Sequence, residues 1–324
     1  MKKALIIGVS GQDGAYLSRL LLQNGYKVYG TSRDAQMSNF SNLKLLGIYD
    51  QINFESMSII DFRSVLQVIL KIEPDEIYNL AGQTSVGLSF DQPVETMESI
   101  IIGTLNILEA IRLTNRRIKF YNAGSSECFG DTDGKLADEN TLFKPLSPYA
   151  VAKSAAFWQV NSYRISYDLF AVTGILFNHE SSLRHKKFVT KKIISTACRI
   201  ARGSNEKLEL GNLDIQRDWG WAPEYVEAMW LMLQQDKPDD FVIATGETNS
   251  LKTFVSLVFE KLNLNWEKHV VYNHAFERPA ELKTGRANPE KAHRQLKWKA
   301  KASLKDIVDH MVSDELKFIS NEQD

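Results

Sequence analysis

The stretch Ala4-Leu-Ile-Ile-Gly8-Val-Ser-Gly11-Gln-Asp-Gly14-Ala-Tyr-Leu17 decides the fold. A short apolar run leads straight into glycines spaced three and three apart. Tyr16, Leu17, Leu20 and Leu21 then supply the apolar face of a helix. A buried strand, a tight glycine turn and an amphipathic helix form the opening unit of a dinucleotide-binding domain. The glycines permit the turn, let backbone N–H groups approach a pyrophosphate, and bring helix and strand together. Gly8, Gly11, Gln12 and Asp13 are therefore the first cofactor candidates. The Met1-Lys-Lys start imitates a signal peptide, but the apolar run is too short and ends in Gly-Val-Ser-Gly.

Outward from this unit, short β-rich runs alternate with helical-period segments. Strands are expected at residues 4–8, 27–31, 52–56, 76–80, 118–122 and 170–176. Met97, Ile101, Leu105, Leu108 and Ile111 make one helical stripe. The alternation predicts an α/β chain with a doubly wound parallel sheet, Rossmann-like, covered on both faces. Past residue 177 it weakens. Helices are expected at 186–202, 223–235, 251–262, 289–296 and 304–318, and a short strand at 207–210. Residues 241–244 read as a further strand of the main sheet. The expected division is a nucleotide-binding domain of 1–177 with roughly 211–245, and a smaller C-terminal substrate-binding lobe of roughly 178–210 and 246–324. The tail is expected to fray from Ser320.

Composition narrows the function. The 324 residues carry 39 Lys and Arg against 40 Asp and Glu, a net charge of -1, which argues against nucleic acid or a polyanionic membrane as partner. Two cysteines, Cys128 and Cys198, are too few for a disulfide framework and fit a reducing cytosol. No apolar run approaches membrane-spanning length. The chain reads as cytoplasmic, with no metal site.

The second strand ends Thr31-Ser32-Arg33-Asp34. A carboxylate at this strand end holds a ribose 2′-hydroxyl, and an arginine holds a 2′-phosphate. Arg33 comes first, which favours NADP, with NAD as the alternative. Leu80-Ala81-Gly82-Gln83-Thr84 closes another strand. These small residues either lie along the cofactor or form a plain strand-to-helix turn.

Chemistry is concentrated in two segments. Ser147-Pro148 opens a helix that sets Tyr149 and Lys153 one turn apart. A tyrosine, with an ordinary pKa of about 10, is a poor base near neutrality. A nearby ammonium and a positive nicotinamide ring favour the phenolate. Tyr149 can then take an alcohol proton as hydride leaves the same carbon; the bland alternative is an amphipathic tyrosine and a surface lysine. Ser125-Ser126-Glu127 follows the 118–122 strand, at a carboxyl end where open parallel sheets bind ligands. Ser125 can donate to the same substrate oxygen, and Glu127 can act as base and then acid, unless it is only a surface loop charge. Hydride transfer at an alcohol needs no carboxylate. An elimination beside the resulting ketone does.

These segments resemble the nucleotide-sugar branch of the extended short-chain dehydrogenase/reductases, and within it the GDP-mannose 4,6-dehydratases. The resemblance spans nearly the whole chain. It rests on the glycine loop, Pro74-Asp-Glu-Ile-Tyr-Asn-Leu-Ala81, Ser125-Ser-Glu127 and Ser147-Pro-Tyr-Ala-Val-Ala-Lys153. It continues in Gly174-Ile-Leu-Phe-Asn-His-Glu-Ser181, Phe188-Val-Thr-Lys-Lys192, Arg217-Asp-Trp-Gly220, the run 225–235 and Arg278-Pro-Ala-Glu281. It implies catalytic roles for Ser125, Glu127, Tyr149 and Lys153. His179 and Arg184 join the cofactor site, with a satisfied core histidine as the alternative for His179. Ser85, Asn178, Val189, Lys191, Arg217, Arg278 and Glu281 join Ser125 and Glu127 around GDP-mannose. The arginines suit a diphosphate, and Glu281 can accept from a ribose or base. A homodimer or homotetramer is implied. Some positions depart from the family pattern. Ser58 stands where an Asp contacts adenine, Glu95 where many members have Tyr, and Arg33-Asp34 with a short loop where Arg-Arg and a longer one occur. The run 182–187 is more basic than usual. A reductase or epimerase of the same superfamily would not need Glu127, and a non-catalytic nucleotide sensor would be expected to lose Tyr149, Lys153 or Glu127.

Overall fold

The computed structural model describes residues 1–321. Six strands, β1 (Lys3–Ile7), β2 (Lys27–Ser32), β3 (Asn53–Ser56), β4 (Glu76–Asn79), β5 (Lys119–Ala123) and β6 (Ala171–Leu176), join Phe241–Ile243 in one sheet. The order is Phe241–Ile243, β6, β5, β4, β1, β2, β3, and every pairing is parallel. All six N-terminal strands fall where the sequence placed them, shifted by a residue or two, and the expected extra strand pairs with β6.

Both sheet faces are covered, so the strands are apolar on both sides. Alternation sends Ala4 and Ile6 to a layer with the Gln12–Gln23 and Ala222–Gln234 helices. Leu5 and Ile7 go to a layer with the Phe62–Ile72 and Gly103–Thr114 helices. Each such fully buried aliphatic side chain contributes roughly 2 kcal/mol.

The expected stripe from Met97 to Ile111 is not one regular helix. Pro93–Met97 runs into a π-helical turn, Glu98–Ile102, before Gly103–Thr114. The widened turn rotates the buried face: Ile100 and Ile107 are fully buried, while Ile101 and Leu105 are half-exposed. Gly103 is required there, because a Cβ would stand 2.8 Å from Ile59. The same segment sends the Ser99 hydroxyl to accept from Gln83 N at 3.2 Å, fixing the chain beyond β4.

A second core gathers the Val189–Ala201, Leu251–Lys261 and Leu304–Asn321 helices around Ile193, Phe254, Val258, Ile307 and Met311. Three two-stranded pairings lie outside the main sheet: Asn178–Glu180 with Trp219–Trp221, Gln216–Arg217 with Asn249–Ser250, and Leu208–Leu210 with Val270–Tyr272. Ala292, Leu296 and Trp298 return to the core of the main sheet. The helix expected from 186 begins only at Val189, because the basic run before it stays in a turn. The last helix continues past Ser320 to Asn321, and residues 322–324 lie outside the described residues. No helix among the described residues is long and apolar enough to cross a membrane, and both cysteines are free.

Candidate active site

A cleft of about 590 Å³ opens above the carboxyl ends of the central strands. It brings together Asp13, Leu80, Thr84, Ser85, Ser125, Glu127, Tyr149 and Lys153 from the sheet side. Asn178, His179, Arg184, Val189, Arg217, Arg278 and Glu281 complete it from the other side. Segments far apart in the chain converge because the strand order reverses beside β1, where β4 and β2 lie on opposite sides of it.

The glycine loop is built for close approach. Gly8 adopts φ 92°, and a Cβ there would meet Ala81 N at 3.0 Å. A Cβ on Gly14 would lie 2.5 Å from the Gly8 carbonyl oxygen. The Gln12–Gln23 helix starts at Gly11 with no side-chain cap, so its first-turn N–H groups are free to receive a phosphate. An anionic nucleotide fits this arrangement.

Asp13 ties the loop to the Asn178–Glu180 strand. Its Oδ2 accepts from His179 Nε2 at 2.9 Å, while His179 Nδ1 donates to the Phe177 carbonyl at 2.8 Å. Both ring nitrogens face acceptors, so the imidazolium is the form that satisfies them. Burial pushes the His179 pKa down, but Asp13 more than offsets this and holds it above its ordinary value. Burial likewise pushes Asp13 up, and the His179 cation brings it below the usual carboxylate range. The ring stacks on Tyr225 at 4.6 Å between centroids. Gln12 completes the seam, donating to the His179 carbonyl at 3.2 Å and accepting from Ser181 Oγ at 2.7 Å.

β5 delivers Ser125 and Glu127. Gly124 allows the chain to turn, since a Cβ there would stand 2.7 Å from Thr173. Ser125 caps the short 3₁₀ turn Ser126–Phe129, its Oγ accepting from Glu127 N at 3.3 Å. Opposite, Ser147 Oγ accepts from Ala150 N at 3.1 Å, and Pro148 opens the helix Pro148–Tyr167, as the sequence indicated. Tyr149 and Lys153 are both buried, at 8% and 5% exposure.

The electrostatics differ from expectation. Lys153 Nζ donates to the Ala123 carbonyl at 2.7 Å and stands 5.8 Å from the Tyr149 ring centroid. Burial raises the Tyr149 pKa, and a hydrogen bond with Ser125 offsets only part of that. Burial lowers Lys153 to about 8. The protein's own groups therefore favour the phenol rather than the phenolate, because the ammonium points at a backbone oxygen and desolvation dominates. Glu127 is also raised by burial, against the pull of Arg217 and Arg278.

At the far end, Arg217 Nη2 pairs with Glu281 Oε1 at 3.0 Å and its Nη1 donates to the Leu282 carbonyl at 2.9 Å. Arg278 Nη1 lies 3.5 Å from the same Glu281 oxygen. One carboxylate thus sits between two guanidinium groups at the cleft wall.

Lys191 is not part of the cleft lining. Its Nζ is buried against Glu315 Oε2 at 2.7 Å and the Ser182 carbonyl at 2.9 Å. A helix turns about 100° per residue, so its neighbour Lys192 lines the cleft instead, 3.5 Å from the Phe276 ring centroid. Sequence reasoning missed Lys192, Phe188 and Phe276; the Lys-Lys pair signalled a cation there, and only the helix start at Val189 decides which lysine serves. Gln83 is a strut rather than a lining residue, donating to the Ser85 carbonyl at 2.8 Å and to Thr96 Oγ1 at 3.2 Å. Gly82 lies beside it, and Ala81 packs against Gly8.

At the end of β2, Arg33 is exposed and has no side-chain hydrogen bond or ion pair among the described residues. Asp34 is occupied by its own turn, accepting from Gln36 N at 2.9 Å and Met37 N at 3.1 Å. Ser58 is half-buried and its backbone N donates to Ser64 Oγ at 3.0 Å. Glu95 is exposed in the short Pro93–Met97 helix.

The parallel sheet, the glycine loop and the cleft holding Ser125, Tyr149 and Lys153 define a doubly wound nucleotide-binding fold with its ligand site at the carboxyl ends of the strands. A sequence profile described as GDP-mannose 4,6 dehydratase matches residues 5–311. GDP-mannose 4,6 dehydratase 1 of Arabidopsis thaliana is 43% identical over 99% of this chain and 92% of its own length. GDP-mannose 4,6-dehydratase of Sinorhizobium fredii is 41% identical over 98% of this chain and 97% of its own. The chain belongs to the GDP-mannose 4,6-dehydratase family. Solved structures agree on the fold. A dTDP-glucose 4,6-dehydratase of Streptomyces venezuelae with NAD bound gives a TM-score of 0.87 at 18% identity, covering 99% of this chain and 98% of that one. UDP-glucose 4-epimerase of Thermotoga maritima with UDP-glucose gives 0.86 at 21% identity, covering 99% and 100%.

Proposed function

We propose that the chain converts GDP-mannose to GDP-4-keto-6-deoxy-mannose by internal hydride transfer and loss of water. The observation that carries this is Glu127, a carboxyl group raised by burial, in the same cleft as Ser125, Tyr149 and Lys153.

A nicotinamide cofactor held here would supply the hydride chemistry, removal from C4 of the mannose and return to C6. Gly8, Gly11 and Gln12 would receive its phosphates, with Leu80, Ala81, Gly82 and Thr84 along its length and Asp13, His179 and Arg184 near the nicotinamide end. Tyr149 takes the C4 hydroxyl proton while Ser125 donates to the same oxygen. Lys153 alone does not hold Tyr149 as the phenolate, so the tyrosine would act as base only with a cationic cofactor ring beside it. The C4 ketone acidifies the C5 hydrogen. Glu127 removes it and passes a proton to the C6 hydroxyl, which leaves as water. As C6 is reduced, C5 takes a second proton, balanced by the one Tyr149 removed from the C4 hydroxyl. A group that must serve as base and then acid works best with a pKa lifted toward neutrality, the direction burial imposes on Glu127.

Arg217 and Arg278 take the diphosphate, exchanging part of their pairing with Glu281 for phosphate oxygens. Lys192 and Phe276 extend the pocket beyond Ser85, Asn178 and Val189. Arg33 favours NADP over NAD, because it is exposed at the ribose end while Asp34 is engaged in its turn. The lobe of roughly 178–210 and 246–324 holds the GDP-sugar against the nucleotide-binding domain. A homodimer is the minimal assembly, supported by Val151, Trp158 and Ile165, exposed at 42%, 59% and 75% and seven residues apart on one helix. Sedimentation giving a monomer would remove that assignment. The near-neutral charge and free cysteines fit the cytosol.

Incubation with GDP-mannose and catalytic NADP+, read by mass spectrometry, tests the activity. Loss of one water is expected. No loss from GDP-mannose, with loss from a UDP- or dTDP-sugar, overturns the substrate assignment.

A further inference from the structure

We propose that Glu315, on the last helix, is a positioning residue for the loop that presents Arg184 to the cofactor, acting through Lys191 and the Ser182 carbonyl. The proposal rests on the reading of the cleft given above.

Lys191 and Glu315 are 4% and 6% exposed and meet at 2.7 Å. Two charges withdrawn from water need more than each other; the remaining hydrogens of the ammonium must also find acceptors. Lys191 gives one to the Ser182 carbonyl at 2.9 Å. On its other side, Ser182 Oγ donates to Asp314 Oδ2 at 2.6 Å. The hydroxyl and the carbonyl of Ser182 are thus held by the last helix, one directly and one through Lys191.

The preceding residue faces the other way. Ser181 Oγ donates to Gln12 Oε1 at 2.7 Å, on the glycine loop. Ser181-Ser182 therefore joins the nucleotide cradle to the last helix. Two residues on, Arg184 turns into the cleft, its Nε 3.3 Å from Glu180 Oε2 and its Cζ 3.7 Å from the Phe188 ring centroid. Fixing Ser182 fixes where Arg184 starts.

Packing alone does not account for the ion pair. An apolar pair of similar volume commonly stabilises a core at least as well as a buried salt bridge. What an apolar pair lacks is a donor for the Ser182 carbonyl. This difference separates a positioning role from a structural one.

The test compares Glu315→Gln and the double variant Lys191→Met/Glu315→Leu with the wild-type chain. The readouts are hydrogen exchange at 181–188, NADPH binding followed by fluorescence, and thermal unfolding. Glu315→Gln should accelerate exchange at 181–188 about tenfold and weaken NADPH binding about tenfold, with kcat at saturating cofactor within about twofold. The double variant should recover the wild-type melting temperature yet keep the fast exchange and weak binding. Wild-type exchange and binding in the double variant would overturn the proposal, as would an unaltered Glu315→Gln. Should Glu315→Gln fail to fold, Asp314→Asn loosens the same anchor from a more exposed position. A wild-type chain that binds neither NADPH nor NADH refutes the reading of the cleft, while exchange at 181–188 still decides the role of Glu315.

Discussion

Asp13 Oδ2 and His179 Nε2 lie 2.9 Å apart although 166 residues separate them in the chain. This contact closes the glycine loop onto the strand that begins the sugar side of the cleft. It also makes the seam sensitive to pH in a predictable direction. Asp13 has a folded pKa below its ordinary 3.8, so its contribution is present above that value and is lost as pH falls through the folded one. His179 has a folded pKa above its ordinary 6.5, so its contribution is complete below that value and is lost as pH rises through the folded one. The pair stabilises most between these two ranges. Melting of wild type and His179→Phe across pH should show the widest gap near pH 5 and a narrowing one above neutrality, the maximum being about 1.5–3 kcal/mol for a charge-assisted hydrogen bond. A gap that widens with pH would contradict the imidazolium assignment.

Lys153 sets an upper limit on activity. Burial brings it to about 8 in the free protein, and its proton is needed to hold the Ala123 carbonyl and the charge beside Tyr149. The pH profile of kcat/KM, which reports the free enzyme, should fall above pH about 8. Lys153→Arg should shift that limb upward while lowering the plateau, and Tyr149→Phe should cost roughly 10²–10⁴ in kcat with cofactor binding retained. An unchanged alkaline limb in Lys153→Arg would assign it to another group.

Cofactor choice should follow Arg33. Arg33→Ala should weaken NADP roughly 10–100-fold, as expected for one charge-assisted contact to a phosphate, and leave NAD within about twofold. Equal losses for both cofactors would show that Arg33 does not read the 2′-phosphate.

Lys192 rather than Lys191 should serve the nucleotide sugar. Lys192→Ala is expected to raise KM for GDP-mannose about tenfold, ~1.4 kcal/mol, with little change in melting temperature, since the side chain is partly exposed. Steady-state kinetics with melting curves separate this from Lys191→Ala, which leaves the Glu315 carboxylate buried and unpaired and should lower stability by about 3–5 kcal/mol.

What was legible in the sequence was what periodicity and backbone constraint encode locally. The six strands are apolar runs bounded by turn residues, and Gly8 and Gly14 are demanded by contacts no side chain allows. Ser147-Pro148 announces the helix that carries Tyr149, through cap chemistry alone. The rest depended on geometry that no local pattern contains. The π turn at Glu98–Ile102 hides inside a plausible helical stripe. Which of Lys191 and Lys192 faces the cleft depends on where a helix begins, and that start moved by three residues because the basic run stayed in a turn. The direction of Lys153 toward Ala123 depends on a backbone oxygen thirty residues away in the chain, and the raised pKa of Tyr149 depends on its burial in the fold. Spacing of Tyr149 and Lys153 brought the right groups together but could not give the balance between desolvation and attraction.

The central claim is that Glu127 turns a hydride-transfer site into a dehydratase, and isotope tracing with Glu127→Gln tests it most directly. Wild type given GDP-mannose deuterated at C4 should yield a product lacking one water, with the deuterium at C6. Glu127→Gln should bind GDP-mannose with an affinity within about threefold of wild type and slow water loss by roughly 10²–10⁴. Water loss at the wild-type rate in Glu127→Gln would contradict the account.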